Sequence, residues 1–297
     1  MTRSHLKATA TFLVVTCGFS WALLAIFFLT GGASGRLLEV VLPYSMGPLA
    51  GALYLQWRRQ EKALSLLGGD PFPNLWFLAA WVIPPAVGLV VVFASPLFAP
   101  AHPSFSGLAH LEAMRSHLSA ATYAAAHQRL AQTSPGLVFG AALGQALFSG
   151  ATIDAVIALG EEIGWRVTLL RELAPLGFWR ASLLIGLARG LWMVPLVLAG
   201  FPFPTHRLTG ALLMTAFSIV ASVVATFLRL KGGSVLPAAL FAGGLNASSH
   251  LPSFFVLGGS ERTTGLFGVT GIAVLALVAL VIVLPRAGKT SRLFAPA

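Results

Sequence analysis

Two adjacent carboxylates and an arginine stand in the stretch 160-GEEIGWRVTLL-170, inside a chain of which only 9% of residues are charged. Glu161 and Glu162 are of the type that can take a proton from water. In a low-dielectric setting two such neighbours cannot both stay ionised without a cation beside them. Arg166 follows Glu162 at i, i+4 with the acid N-terminal, the favourable order for a helical ion pair. Glu161 points well away from Glu162 around a helix and is free to face another element. Spacing alone leaves two readings open: a water-activating site, or a helix end at a water boundary.

The elements that must position these groups are membrane helices. The chain has 297 residues, 57% of them hydrophobic, with a mean hydropathy of +0.84. The apolar residues come in runs of the roughly 20 that a span requires. They are expected near 8–30, 38–56, 75–98, 137–159, 181–200, 209–228, 234–257 and 264–284. The expected fold is therefore all-α, a polytopic membrane bundle of about eight transmembrane helices. The first run is too long for a signal-peptide core and reads as a retained helix. Cys17 lies within it, and one cysteine allows no internal disulfide.

The formal charge of +10 would suggest nucleic acid on a soluble chain. Here topology accounts for it: with eight spans and both termini cytoplasmic, most basic residues fall inside. The cell membrane is the expected location, the lipid bilayer is the expected partner, and no nucleic acid is. The segment 58-RRQEK-62 reads as an inner-leaflet anchor. Three parts follow: membrane helices with a long external segment over 1–136, a core over 137–257 that holds the intramembrane polar groups, and a last helix with a basic tail over 258–297. The external stretch 110-HLEAMRSHLSAATYAAAHQRLAQ-132 has the propensity of an interfacial helix. His110, His117 and His127 lack the i, i+4 spacing of a helical metal pair.

Ionisable groups at membrane depth are costly and mark function by default. Besides the glutamates they include Asp154 and Arg189, with Asn246 as a neutral polar neighbour. At 1.5 Å per residue from the expected cytoplasmic ends, Glu161, Arg189 and Ala242 lie about 12–15 Å deep, and Met193 and Asn246 about 18 Å. Arg189 at that depth needs a carboxylate, so an ion pair with Glu161 or Glu162 is expected, against the alternative that it snorkels to the cytoplasm. Asp154 belongs either to the same cluster or to outer packing.

The stretch 160–201, from 160-GEEIGWR-166 to 195-PLVLAGF-201, resembles the core of the CPBP family of intramembrane proteases. That family includes the type II CAAX prenyl endopeptidases and bacterial proteins once labelled abortive-infection proteins. Glu161, Glu162, Trp165 and Arg166 match its Glu-Glu-x-x-x-Arg motif in full. Its second motif is kept as a frame in 186-GLARGLWMVP-195, through Gly186, Gly190, Leu191, Trp192 and Pro195. Its third is kept in 233-GSVLPAALFAGGLNA-247, through Gly233, Ser234, Pro237 and Asn246. The resemblance covers roughly 137–257 and implies an endopeptidase acting on membrane-anchored or prenylated peptides.

The same resemblance marks Glu161, Glu162, Arg166 and Asn246 as site residues, and three positions as substituted. Met193 stands where the family has the histidine that works with the glutamate, Arg189 where it has an aromatic, and Ala242 where it has a second histidine. Neither Met nor Ala can accept a proton from water or donate an imidazole N–H to an oxyanion. Reduced or absent peptidase activity is expected, as in a pseudoenzyme. Two alternatives stay open: an active endopeptidase in which His250, one turn beyond Asn246, replaces the lost histidine, and a non-catalytic binding or scaffold protein. A divalent metal such as zinc is implied only if the family chemistry survives.

Overall fold

The computed structural model describes residues 2–61, 67–69, 72–115 and 118–286. Lys62, His117 and the basic tail beyond 286 lie outside the described residues. Helix α1 (Arg3–Leu29) opens on Thr2, whose hydroxyl accepts from the His5 N–H. Helices α2 (Leu38–Ser45) and α3 (Gly47–Arg59) follow, divided just ahead of Pro48, which sits near the start of α3. Helix α4 (Leu75–Ala94) starts at Asn74, which caps the Trp76 N–H. Chain order then gives α5 (Leu108–Ala113), α6 (Ala120–Gln132), α7 (Pro135–Ala151) and α8 (Ile153–Glu162). A π-helical segment, Ile163–Leu169, leads into α9 (Leu170–Leu173) and α10 (Gly177–Ala199). The remaining helices are α11 (Arg207–Gly232), α12 (Leu236–Ser248), α13 (His250–Phe255) and α14 (Val269–Val278). One short antiparallel ladder pairs β1 (Ala101–Pro103) with β2 (Val256–Gly258), Ala101 opposite Gly258.

The all-α polytopic bundle is as expected. Among the described residues, six helices are long and apolar enough to cross a membrane: Arg3–Leu29, Leu38–Arg59, Leu75–Leu97, Ile153–Ala199, Arg207–Gly232 and Val269–Arg286. The expected runs and these helices differ in the core. The run expected over 137–159 is divided at Thr152, whose backbone leaves the helical region (φ −119°, ψ −92°). There the Thr152 hydroxyl donates to the Phe148 carbonyl at 2.7 Å, and the Ser149 hydroxyl donates to the Asp154 carboxylate. Such local side-chain bonds compete with the helical ladder and favour a break. The run expected over 234–257 ends its helix α12 at Ser248, and the chain turns through α13 into β2. The interfacial helix expected over 110–132 is two helices, α5 and α6.

Of four apolar clusters among the described residues, the two largest hold most of the bundle together. One surrounds α11, with Phe217, Val224 and Phe227 packed against α4, α12 and α14. The other joins α1 and α2 to the π segment and α10 through Phe12, Tyr44, Trp165 and Trp192. Helices α10 and α11 touch at their backbones: a Cβ on Gly186 would meet the Ile219 Cα at 2.5 Å, and one on Gly190 the Thr215 Cα at 2.6 Å. Small residues at helix contacts permit this approach in a membrane, where apolar burial alone does not drive association.

Charges gather at the bundle's ends. At one end Glu172 accepts from Arg59 Nη1 at 2.8 Å and pairs with His5 Nδ1 at 3.0 Å, tying together α1, α3 and α9. Arg171 Nη1 reaches Glu61 there at 2.9 Å. At the opposite end the Glu261 carboxylate accepts from the N–H groups of Thr205 and His206, at 3.0 and 2.9 Å, and caps the entry to α11. His206 itself pairs with Glu261 at 3.2 Å, a structural contact remote from the glutamate pair.

Candidate active site

Glu161 and Glu162 are the last residues of α8, and both are buried. The close approach that buries them depends on Gly164. A Cβ there would lie 2.5 Å from both the Cβ and the carbonyl oxygen of Pro48 at the start of α3. Gly164→Ala is therefore expected to push α3 away and cost about 1–3 kcal/mol, read as a lowered unfolding midpoint in detergent. An unchanged midpoint would remove Gly164 from this account.

Arg189 enters from α10. Its Nη2 donates to Glu161 Oε2 at 2.8 Å, and its Nη1 lies 3.7 Å from Glu162 Oε1. The side chain turns to the carboxylates instead of following its stem to an interface. On the far side of Glu162, Arg166 Nε stands 3.4 Å from Oε2, with both side chains fully buried. The result is a chain of alternating charge from Glu161 through Arg189 and Glu162 to Arg166. Two cations offset two anions, which is what a low-dielectric interior requires of buried charge.

The Glu162–Arg166 ion pair expected from spacing is present, but without a hydrogen bond. Arg166 lies within the π segment, where the wider turn shifts the angle between i and i+4. Both Glu162 oxygens and the Arg166 Nε, Nη1 and Nη2 are buried without a hydrogen-bond partner among the described residues. The pair is close enough for Coulomb attraction but lacks the bidentate geometry that strengthens Arg–carboxylate contacts.

An aromatic group supports these residues. Trp165 packs edge-on against Phe12 at 5.5 Å and against Trp192 at 5.7 Å, and Trp192 lies 5.0 Å from Tyr44. Pro195 lies inside α10 and has no N–H to give to the Leu191 carbonyl one turn earlier. The Trp192 carbonyl there accepts from the Tyr44 hydroxyl and from the Trp21 indole at 3.1 Å. Trp165 and Trp192 were visible in the sequence as motif positions; Tyr44, Trp21 and Phe12 were not singled out. A lone phenol inside an apolar run, as in 41-VLPYSMG-47, was the available signal, because a buried tyrosine needs a partner for its hydroxyl.

Met193 follows Trp192 as a half-buried residue packed between the two cores. Ala242 is buried in α12. Neither offers a polar side-chain atom to the glutamates. A Cβ on Gly150 would meet Gly244 and Ala247, and one on Gly243 would meet Asp154 and Ala155, so α12 runs antiparallel to α7 and α8. Asn246 therefore lies level with the α7–α8 break, on the order of 10–15 Å along the axis from Glu161. Its amide makes no hydrogen bond to either glutamate among the described residues. Asp154 stays at that break with Ser149, apart from the cluster. His250 is further away still, exposed at the start of α13.

The donor set does not fit zinc. Among the described residues no three His, Cys, Asp or Glu side chains converge. The two carboxylates present face guanidinium groups, whose charge opposes a cation and whose N–H groups occupy the oxygen that a metal would use.

A family model described as Type II CAAX prenyl endopeptidase Rce1-like matches residues 143–248. A search of curated proteins finds no match to the chain. The matched span runs from within α7 to the end of α12 and includes the glutamate pair, Arg166, Arg189, Met193, Ala242 and Asn246. With this helical framework around the Glu-Glu-x-x-x-Arg cluster, the core at residues 143–248 is similar to the Rce1-like type II CAAX prenyl endopeptidases.

Proposed function

We propose that this CAAX-protease-like membrane protein has reduced or no peptidase activity and that its glutamate pair serves as a fixed ionic support. The observation that carries the reading is the 2.8 Å hydrogen bond from Arg189 Nη2 to Glu161 Oε2. Peptide hydrolysis needs a base to take a proton from water and a donor to the developing oxyanion. The Glu161 oxygen best placed for the first task already accepts from a guanidinium. Met193 and Ala242 supply nothing for the second. A ligand of the family's kind, a membrane-anchored or prenylated peptide, would be held by such a core without being cut. Both termini are placed on the cytoplasmic side of the cell membrane in this reading. Its support is the gathering of Arg59, Arg171 and His5 at one end of the bundle, the distribution that loop charge imposes.

The test is cleavage of a library of membrane-anchored peptides, prenylated and unprenylated, by the full chain reconstituted in vesicles. The expected result is product at the level given by the Glu161→Ala variant. Cleavage by the unaltered chain that disappears in Glu161→Ala would overturn the reading. Cleavage that instead depends on His250 would favour a relocated histidine.

A further inference from the structure

Away from the glutamate pair, a cavity of about 690 Å³ opens between α5, α6, the start of α7 and α13. Ligand cavities commonly span roughly 300–1,000 Å³ and combine apolar walls with a few polar groups. This wall is apolar at Leu111, Met114, Leu130, Val138 and Phe254. The α6 side is built of small residues, Ala121, Ala125 and Ala126, which leave the space that bulkier side chains would fill. Helix α6 itself has no buried residue. Its role in the fold is to wall this cavity.

The polar groups on the wall carry one sign. Arg129 is exposed at the cavity, and its guanidinium has no ion pair or hydrogen bond among the described residues. The nearby Glu112 is already engaged, accepting from the Tyr123 hydroxyl at 2.5 Å and pairing with Arg115 at 3.7 Å. Among the described residues no acidic residue lines the cavity. His110 stacks on Phe254 at 4.1 Å with an interplanar angle of 16°. Burial, and then the facing His250, hold the His110 pKa below its ordinary value, so its ring is a neutral hydrogen-bonding group and Arg129 is the fixed charge.

We propose that this cavity holds an acyl chain of an anionic phospholipid, with the lipid phosphate at Arg129 and within reach of the His110 ring. An apolar chamber whose described residues offer one unpaired guanidinium and no carboxylate complements a molecule that is apolar along its length and negative at its head. In a chain that crosses a bilayer, phospholipid is the amphiphile always at hand.

The test uses the full chain in mixed micelles that contain phosphatidylglycerol or phosphatidylcholine with a photoactivatable group at the acyl end. Cross-linked peptides are mapped by mass spectrometry. Labelling is expected at α5 and α6, with phosphatidylglycerol favoured roughly tenfold, the scale of one charge-assisted hydrogen bond. Arg129→Gln should bring the two lipids close to parity, and Ala125→Trp should abolish labelling by filling the chamber. Because α6 buries no side chain, both variants should keep the parent's thermal transition; Ala121→Trp on the same face replaces Ala125→Trp if that transition is lost. Equal labelling by both lipids, labelling that survives the tryptophan, or displacement by free fatty acid in preference to phospholipid would overturn the proposal.

Discussion

Glu162→Ala is expected to destabilise the bundle by about 3–5 kcal/mol, because it leaves Arg166 charged, fully buried and without its carboxylate. The loss would be read as a lowered midpoint in denaturant or thermal unfolding of the detergent-solubilised chain. Arg166→Met should cost a similar amount, since it strands Glu162 against Arg189 alone, 3.7 Å away. The double variant Glu162→Ala, Arg166→Met should cost far less than the sum of the two, because replacing both members of a buried pair removes the charge together with its partner. Arg189→Ala is the informative contrast. Its side chain is 16% exposed and its main partner Glu161 is 8% exposed, so water can take up part of the lost contact. A smaller loss than for Glu162→Ala is expected. If Glu162→Ala matches the parent, the alternating chain of charge does not hold this part of the fold together.

The second large effect is a gain. Replacing Arg189 by Phe, Met193 by His and Ala242 by His is expected to raise Glu161-dependent peptide cleavage at least about a hundredfold above the Glu161→Ala background. Each general base or oxyanion donor contributes roughly 10²–10⁴ in rate. The three changes act on different requirements. Arg189→Phe frees the Glu161 oxygen that now accepts at 2.8 Å. Met193→His introduces a group able to share the water proton, on the turn held by Tyr44 and Trp21 through the Trp192 carbonyl. Ala242→His introduces a donor from α12. The two histidines with Arg189 retained should give little, because the carboxylate stays engaged. A triple variant that folds and still cleaves at background would overturn this expectation.

The membrane class and the cluster were legible in the sequence for different reasons. Long apolar runs read directly as spans, because a bilayer demands length and composition more than any tertiary detail. Glu161, Glu162 and Arg189 were readable as partners because isolated charge at that depth is too costly to leave unpaired. Asn246 was readable as a motif position, yet linear spacing could not show that α12 packs against α7 and α8 through Gly243 and Gly244.

What the sequence determined by itself was composition-driven: an all-α membrane chain, a Glu-Glu-x-x-x-Arg core of recognisable family, and the absence of histidine at Met193 and Ala242. Tertiary structure alone decided the rest. Gly164 against Pro48 sets how deeply the glutamates are buried, and the π segment sets the angle at which Arg166 meets Glu162. Local bonds at Thr152 and Asp154 break a run that hydropathy reads as continuous. The reason is physical: hydropathy sums single-residue transfer energies, whereas register, helix breaks and ion-pair geometry depend on backbones approaching within a few ångströms, a relation between distant residues that no local pattern encodes.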